Sequence, residues 1–373
     1  MRIAILGPVH PYRGGIAHYT ARLAREAMHE GHEVLVVNLS RQYPESLFPG
    51  TTQEDESERT FDVPAERWLD SMNPLTWLGA ARKALRWGPD LLVVQWWHPY
   101  FAASFGTVAG AFRARGVPVC MVCHNVEPHE SSPVDRALLR LAYAAPSRFV
   151  VHAESERRAL ATFRPRVDVR VNPHPVYDQF ASEGVPTREE ARAALGLDGE
   201  RWLLFFGLVR PYKGLDVLID AMPAVHEATG AKLYVAGECY GDEAPYREQV
   251  ERLGLGDAVR LDFRYVPNEE VPTIIASSDA LVLPYRHATQ SGVAQVAFGC
   301  GRAVVSTRVG GIPDVVADGK SGLLVPPEDP PALADALVSL YEDGRIASLE
   351  AGVVEERARF SWGALLGAIL GGA

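Results

Sequence analysis

A chain of 373 residues exceeds one ordinary domain of roughly 100 to 200 residues, and 47% hydrophobic content supplies core for two. With 23% charged residues and a formal net charge of −10, the composition argues against an anionic nucleic-acid partner. No apolar run approaches the ~18 residues of a membrane-spanning helix, and Met1-Arg2-Ile3-Ala4-Ile5-Leu6-Gly7 is too short for a secretory signal, so a cytoplasmic protein is expected.

In chain order, the apolar run 3–6 reads as a strand. It feeds the turn Gly7-Pro8-Val9-His10-Pro11-Tyr12-Arg13-Gly14-Gly15, and a helical pattern follows to about Glu30. Paired glycines ahead of a helix N-terminus let backbone N–H groups approach an anion; a plain tight turn is the alternative. The spacing is not the G-x-G-x-x-G dinucleotide fingerprint, whose glycines begin directly after the strand. After a second strand at 34–38, residues 51–62 are acid-rich and aperiodic and read as a mobile loop.

Residues 64–87 interleave Trp68, Trp77 and Trp87 with Arg67, Arg82, Lys83 and Arg86. Such a stretch suits either a lipid surface or an amphipathic helix packed on its own sheet. The run 91–95 is a third strand, followed by Trp96-Trp97-His98-Pro99, either an aromatic wall for a sugar or lipid or simple packing. The run 117–123 contains Cys120-Met121-Val122-Cys123-His124, a literal match to the haem-attachment pattern. On a buried strand an offset of three places the two thiols on opposite faces, so they read as small core residues.

Strands at 149–152 and 167–171 complete a βαβ series, and Asn172-Pro173-His174-Pro175 closes it. The series restarts at 203–206, 233–236, 259–262, 280–283, 304–306 and 322–325, so two doubly wound α/β domains are expected, at 1–175 and 176–373. The first holds 20 Lys and Arg against 18 Asp and Glu, the second 17 against 29, so an anionic surface would meet the N-terminal half. A last helix is expected over 361–370.

Ligands gather at the carboxyl ends of strands in open α/β sheets. Two further turns stand out there. In Phe206-Gly207-Leu208-Val209-Arg210-Pro211-Tyr212-Lys213-Gly214, two cations three residues apart suit a diphosphate. In Leu283-Pro284-Tyr285-Arg286-His287-Ala288-Thr289-Gln290-Ser291-Gly292-Val293, small polar residues open a helix and expose N–H donors, or Ser291 simply caps it. No D-x-D pair follows a strand and no His/Cys cluster has metal-ligand spacing, so no metal is expected.

Together with His124-Asn125 and Gly310-Gly311-Ile312-Pro313-Asp314, these turns resemble family-4 retaining glycosyltransferases over nearly the whole chain. The resemblance implies the GT-B fold, two Rossmann-like domains facing across a cleft, with acceptor on the N-terminal domain and nucleotide sugar on the C-terminal one. It implies a UDP- or GDP-sugar as co-substrate and a glycan or lipid-linked saccharide acceptor, in cell-surface polysaccharide synthesis at the inner membrane face. It places Gly14, Gly15 and the backbone of Ser291, Gly292 and Val293 near donor phosphate, and Arg210 and Lys213 on the diphosphate. His124 matches the histidine that contacts the donor sugar, and Tyr265 and Val266 the segment that holds the base. Tyr12, Arg13, Trp97 and His98 fall on the acceptor side.

The sequence departs from that pattern at the two family glutamates, whose counterparts are Ala288 and Val296, with Gln290 or Gln295 as substitutes. Leu208 stands where the family carries arginine, a role open to Arg210. The missing acids keep open a catalytically silent nucleotide-sugar-binding protein, and a nucleotide-sugar epimerase of the same two-domain shape is a third reading.

Overall fold

The computed structural model describes residues 1–44, 52–128 and 132–371. They form two compact units, one of Met1–Glu56, Thr60–Pro173 and Trp362–Ala373, the other of Ser57–Arg59 and His174–Ser361.

The first unit holds β1 (Arg2–Leu6), β2 (Glu33–Arg41), β3 (Ala65–Asp70), β4 (Leu91–Trp96), β5 (Val119–Cys123), β6 (Arg148–Val151) and β7 (Asp168–Val171). They pair in parallel in the order β3-β2-β1-β4-β5-β6-β7. The central strands β4 and β5 are buried along their whole length, as their nearly continuous apolar sequences require when helices cover both faces. Val119, Met121 and Cys123 enter one core cluster and the buried Cys120 does not, so the two thiols do lie on opposite faces.

The chain returns to this unit at its end. The helix Trp362–Leu370 packs on the helix Gly15–His29 and on β6. Buried Trp362 meets Tyr19 edge-on at 4.9 Å, and Arg148 Nη1 donates to the Ile369 carbonyl at 2.9 Å.

The second unit holds β8 (Trp202–Phe206), β9 (Lys232–Ala236), β10 (Val259–Asp262), β11 (Ala280–Leu283), β12 (Val304–Thr307) and β13 (Gly322–Val325). These too are parallel, in the order β10-β9-β8-β11-β12-β13.

Two local expectations are corrected. Residues 64–87 are not one amphipathic element but β3 at the sheet edge followed by the helix Pro74–Arg86. Trp68 and Trp77 pack against the core, and Trp77 Nε1 donates to the Asp70 carbonyl at 2.7 Å. The apolar side chains left on the surface are Met72, Leu75 and Leu78.

Residues 52–62 are anchored rather than mobile; Thr51 lies outside the described residues. Glu54 bridges antiparallel to Tyr12, the Asp55 N–H donates to the Pro11 carbonyl at 2.7 Å, and Phe61 is buried. Within the second unit, Ser57 Oγ accepts the Asn268 N–H at 2.9 Å and Arg59 Nη2 donates to the Gln179 carbonyl at 2.9 Å. Backbone pairing fixes this acid-rich segment where its composition signals disorder.

Candidate active site

In the second sheet, successive strands step from β8 to β9 and β10 on one side, and from β11 to β12 and β13 on the other. The order reverses between β8 and β11, so the loops leaving their carboxyl ends diverge and open a crevice. Those loops are the two cation- and glycine-bearing turns singled out in the sequence. Gly207 sits at φ +95°, and a Cβ there would lie 3.2 Å from Val293 Cγ2 and 3.7 Å from Lys213 Nζ. Gly214, at φ +68°, passes so close to the second loop that a Cβ would fall 2.0 Å from the Pro284 carbonyl oxygen. Only glycine lets the two loops meet there.

Lys213 is 8% exposed and, among the described residues, has no carboxylate within ion-pair reach. Burial, helped by the charge of Arg210, pulls its ammonium down to about 8. Its Nζ lies 5.6 Å from the Tyr285 ring centroid, and the Arg210 guanidinium stacks 4.8 Å over Tyr240. Both cations are thus held by aromatic faces, which leave their N–H donors for an incoming anion.

Across the crevice, Ser291 caps the helix Gly292–Gly299 by accepting the Ala294 N–H at 3.2 Å, and the Tyr285 hydroxyl lies 3.3 Å from Ser291 Oγ. The N–H groups of the first helical turn have no partner within the helix, and the dipole adds attraction for negative charge. Gly292 lies against Tyr177, whose Cε2 would be 3.3 Å from a Cβ at that position. Lys213, Gly207, Ser291, Gly292 and Val293 are therefore brought together, with Arg210 in the same loop as Lys213.

Other expected residues are placed differently. Tyr265 and Val266 follow β10, the edge strand two positions from the reversal, with Val266 buried and Tyr265 half-buried. Gln290 is half-buried beside Thr289, whose carbonyl accepts the Gly311 N–H at 3.1 Å. Gly310, at φ +49°, presses its Cα against the Ala288 carbonyl so closely that a Cβ would lie 1.5 Å from that oxygen. Buried Val296 is apolar, and Gln295, wholly buried, has neither amide atom paired among the described residues.

In the first sheet the reversal lies between β1 and β4. After β1, buried Tyr12 accepts a 3.5 Å contact from Arg67 Nη2, and the Arg13 N–H donates to the Gln53 carbonyl at 3.0 Å. Gly14, at φ +99°, opens the helix Gly15–His29 with no side-chain cap. After β4, Trp97 Nε1 donates to the Tyr43 hydroxyl at 2.9 Å while its ring packs 4.4 Å from Phe101. His98 is exposed, and its Nδ1 accepts the Tyr100 N–H at 3.1 Å. His124, directly after β5, is buried with Nε2 2.8 Å from Gln95 Oε1.

Sequence reading assigned no role to Gln95, Tyr240 or Arg286. Arg286 fastens the loop after β11 by donating to Asp216 Oδ1 at 2.9 Å, Oδ2 at 2.7 Å and the Pro211 carbonyl at 2.7 Å. Gln95 did leave a signal, a carboxamide inside an otherwise apolar strand.

Two parallel-sheet Rossmann-like units, each with its loops diverging at a strand-order reversal, make up the GT-B architecture of glycosyltransferases. The structure of Anabaena HepE in complex with UDP superposes with a TM-score of 0.75 at 19% identity, covering 100% of this chain and 99% of that one.

Residues 13–180 match the family described as Glycosyltransferase Family 4, and residues 200–343 that described as Glycosyl transferases group 1. The D-inositol 3-phosphate glycosyltransferase 1 of Catenulispora acidiphila is 30% identical over 288 residues, 71% of this chain and 68% of the relative. The D-inositol 3-phosphate glycosyltransferase of Corynebacterium urealyticum is 33% identical over 56% of this chain, a match spanning about half, 49%, of that relative. The chain belongs to the family-4 glycosyltransferases.

Proposed function

We propose that the protein moves a hexosyl group, with retention, from a nucleoside-diphosphate sugar bound by the second unit to a hydroxyl of a glycan or lipid-linked saccharide. The observation that carries this reading is Lys213, a buried ammonium without a counter-ion among the described residues, at the reversal point of a Rossmann-like sheet and opposite a helix N-terminus. A buried cation held against aromatic and glycine surroundings is short of an anion, and a diphosphate supplies one. The UDP in the HepE complex supports a uridine nucleotide as donor.

The acceptor hydroxyl would attack the anomeric carbon from the face that the diphosphate leaves. A leaving phosphate oxygen takes the hydroxyl proton as the new C–O bond forms and the old one breaks. Arg210, Lys213 and the first N–H groups of the helix Gly292–Gly299 stabilise the charge gathering on the diphosphate. Gly14, Gly15, Tyr265 and Val266 are assigned to the donor, and Tyr12, Arg13, Trp97 and His98 to the acceptor side.

Membrane-proximal work in polysaccharide synthesis is supported by Met72, Leu75 and Leu78 at the surface beside a helix ending in Lys83 and Arg86. No helix among the described residues is long and apolar enough to cross a membrane. The inositol 3-phosphate in the relatives' names is the alternative acceptor.

Ala288 and Val296, apolar where the family carries acids, favour a silent nucleotide-sugar-binding protein as the second reading. Thermal shift against UDP, GDP, ADP and their sugar conjugates tests the donor, because a ligand of the folded state raises its apparent stability. A shift lost in Lys213→Ala supports the proposal; no shift with any nucleotide in folded protein overturns it. Acceptor turnover then separates transfer from silent binding.

A further inference from the structure

Three consecutive residues of the loop after β11 grip the loop after β8. Pro284 presses its carbonyl against Gly214, and the Arg286 N–H donates to the Tyr212 carbonyl at 2.8 Å. Tyr285, between them and only 3% exposed, reaches both sides of the crevice. Its ring centroid lies 5.6 Å from Lys213 Nζ, and its hydroxyl lies 3.3 Å from Ser291 Oγ, the atom that accepts the Ala294 N–H at the start of the helix Gly292–Gly299. The backbone beneath the ring is tied down: the Tyr285 N–H donates to the Leu283 carbonyl at 2.9 Å, and Thr307 Oγ1 donates to the Tyr285 carbonyl at 2.5 Å. Ring and hydroxyl therefore start from a point fixed to β11 and β12.

We infer that Tyr285 is a positioning residue that couples the two halves of the anion site, holding the Lys213 ammonium with its ring and the cap of the helix Gly292–Gly299 with its hydroxyl; the inference rests on the donor reading above. Burial pushes the phenol well up, so Tyr285 stays neutral and meets the ammonium as a ring face, not as a counter-ion. A carboxylate in its place would neutralise Lys213 before a ligand arrived, whereas a ring face lowers the cost of burying the charge and takes up none of its N–H donors. The hydroxyl acts on the opposite side. Whichever of the two hydroxyls donates, their contact favours the rotamer in which Ser291 Oγ points back to the Ala294 N–H, and the N–H groups of the first helical turn then face outward together. One side chain thus sets the position of the cation relative to the helix donors, and a displacement of Tyr285 moves both.

The two contacts can be cut separately in the full chain. Tyr285→Phe keeps the ring and removes the hydroxyl, and Tyr285→Leu removes both while staying apolar. Without ligand, ¹³C-labelled lysine reports the titration of Lys213, assigned by its loss in Lys213→Met, and amide hydrogen exchange reports the Ala294 N–H. Tyr285→Phe should leave the Lys213 titration where wild type has it and speed exchange at Ala294 by about fivefold, as a weakened cap does. Tyr285→Leu should also speed Ala294 and lower the Lys213 midpoint from about 8 by about one pH unit, because the buried ammonium loses its ring. UDP binding should then weaken evenly across pH in Tyr285→Phe, and increasingly above pH 7 in Tyr285→Leu as Lys213 loses its charge. Should Tyr285→Leu not fold, Tyr285→Met gives the same readout. A Lys213 midpoint unmoved or raised in the folded Leu or Met variant, or unchanged Ala294 exchange in Tyr285→Phe, overturns the inference; a tyrosine that only fills space would weaken UDP binding without moving Lys213. The lysine and amide measurements need no nucleotide, so a wild type that binds none removes the donor reading and leaves them standing.

Discussion

Arg286 grips Asp216 with both terminal nitrogens, at 2.9 and 2.7 Å, so the loop leaving β11 is fastened to the first turn of the helix Leu215–Thr229. That helix follows the loop carrying Arg210 and Lys213, and the ion pair therefore sets how the two sides of the crevice meet. Arg286→Ala should lower stability by about 1 kcal/mol, since the pair is partly solvated, and weaken nucleotide binding by about tenfold. Arg286→Lys should not restore binding, because an ammonium cannot bridge both carboxylate oxygens. Thermal midpoints with and without UDP check both.

Lys213 sets a conflict between stability and function. Its folded-state value of about 8 lies below the 10.5 of an exposed lysine, so the unfolded chain binds the extra proton between those values. Stability attributable to this group therefore rises from pH 8 towards 10.5, and below pH 8 the full penalty, on the order of 3 kcal/mol, is present. Lys213→Met should raise the thermal midpoint of the free protein at pH 7 while abolishing the shift produced by UDP. Calorimetric titration near pH 8 in buffers of different ionisation enthalpy should show proton uptake as UDP binds, because an anion beside the ammonium restores its charge.

Glu156 gives the opposite slope. Its buried carboxyl accepts the Val126 N–H at 3.2 Å and the His152 N–H at 3.4 Å, yet burial outweighs both and pushes it up to about 7. Between pH 4.5 and 7 the unfolded chain loses a proton that the fold retains, so this group's contribution to stability falls as pH rises through that window. Glu156→Gln should flatten that fall, as seen in the difference between the two thermal-midpoint profiles. His152, pulled down to about 4 by burial, acts at the acid end: stability is lost as pH falls from 6.5 towards 4.

A lipid surface, if it is the docking partner, should be met through Leu75 and Leu78. The double substitution Leu75→Glu, Leu78→Glu changes residues already exposed and should leave the thermal midpoint within about 0.5 kcal/mol of wild type. Sedimentation with anionic vesicles at low salt should fall to background. Sedimentation equal to wild type, or none in wild type, removes the membrane from the proposed function.

Among the described residues, twelve of the thirteen strands were legible: most from nearly continuous apolar runs, and the edge strands β7 and β10 from alternating apolar residues. The strand that escaped is β3, Ala-Glu-Arg-Trp-Leu-Asp, an edge strand with one neighbour and room for charge on its outer side. The glycine turns announced themselves by composition, and the structure gives each a steric reason. Contacts such as Arg286 to Asp216, 70 residues apart, or Arg210 over Tyr240 have no local signature, since either partner reads as an ordinary surface residue until the strand order is known.

The passage of the chain back to the first unit has a consequence for synthesis. Trp362 and the helix it begins cover Tyr19, which in turn holds the ring of His124. As the polypeptide leaves the ribosome, the first sheet waits for the helix Trp362–Leu370, and the stretch of the second unit from His174 to Ser361 emerges in between. A nascent chain arrested before Trp362 would hold a folded second unit while the first was unfinished, so His124 would reach its final setting only after Trp362 had emerged.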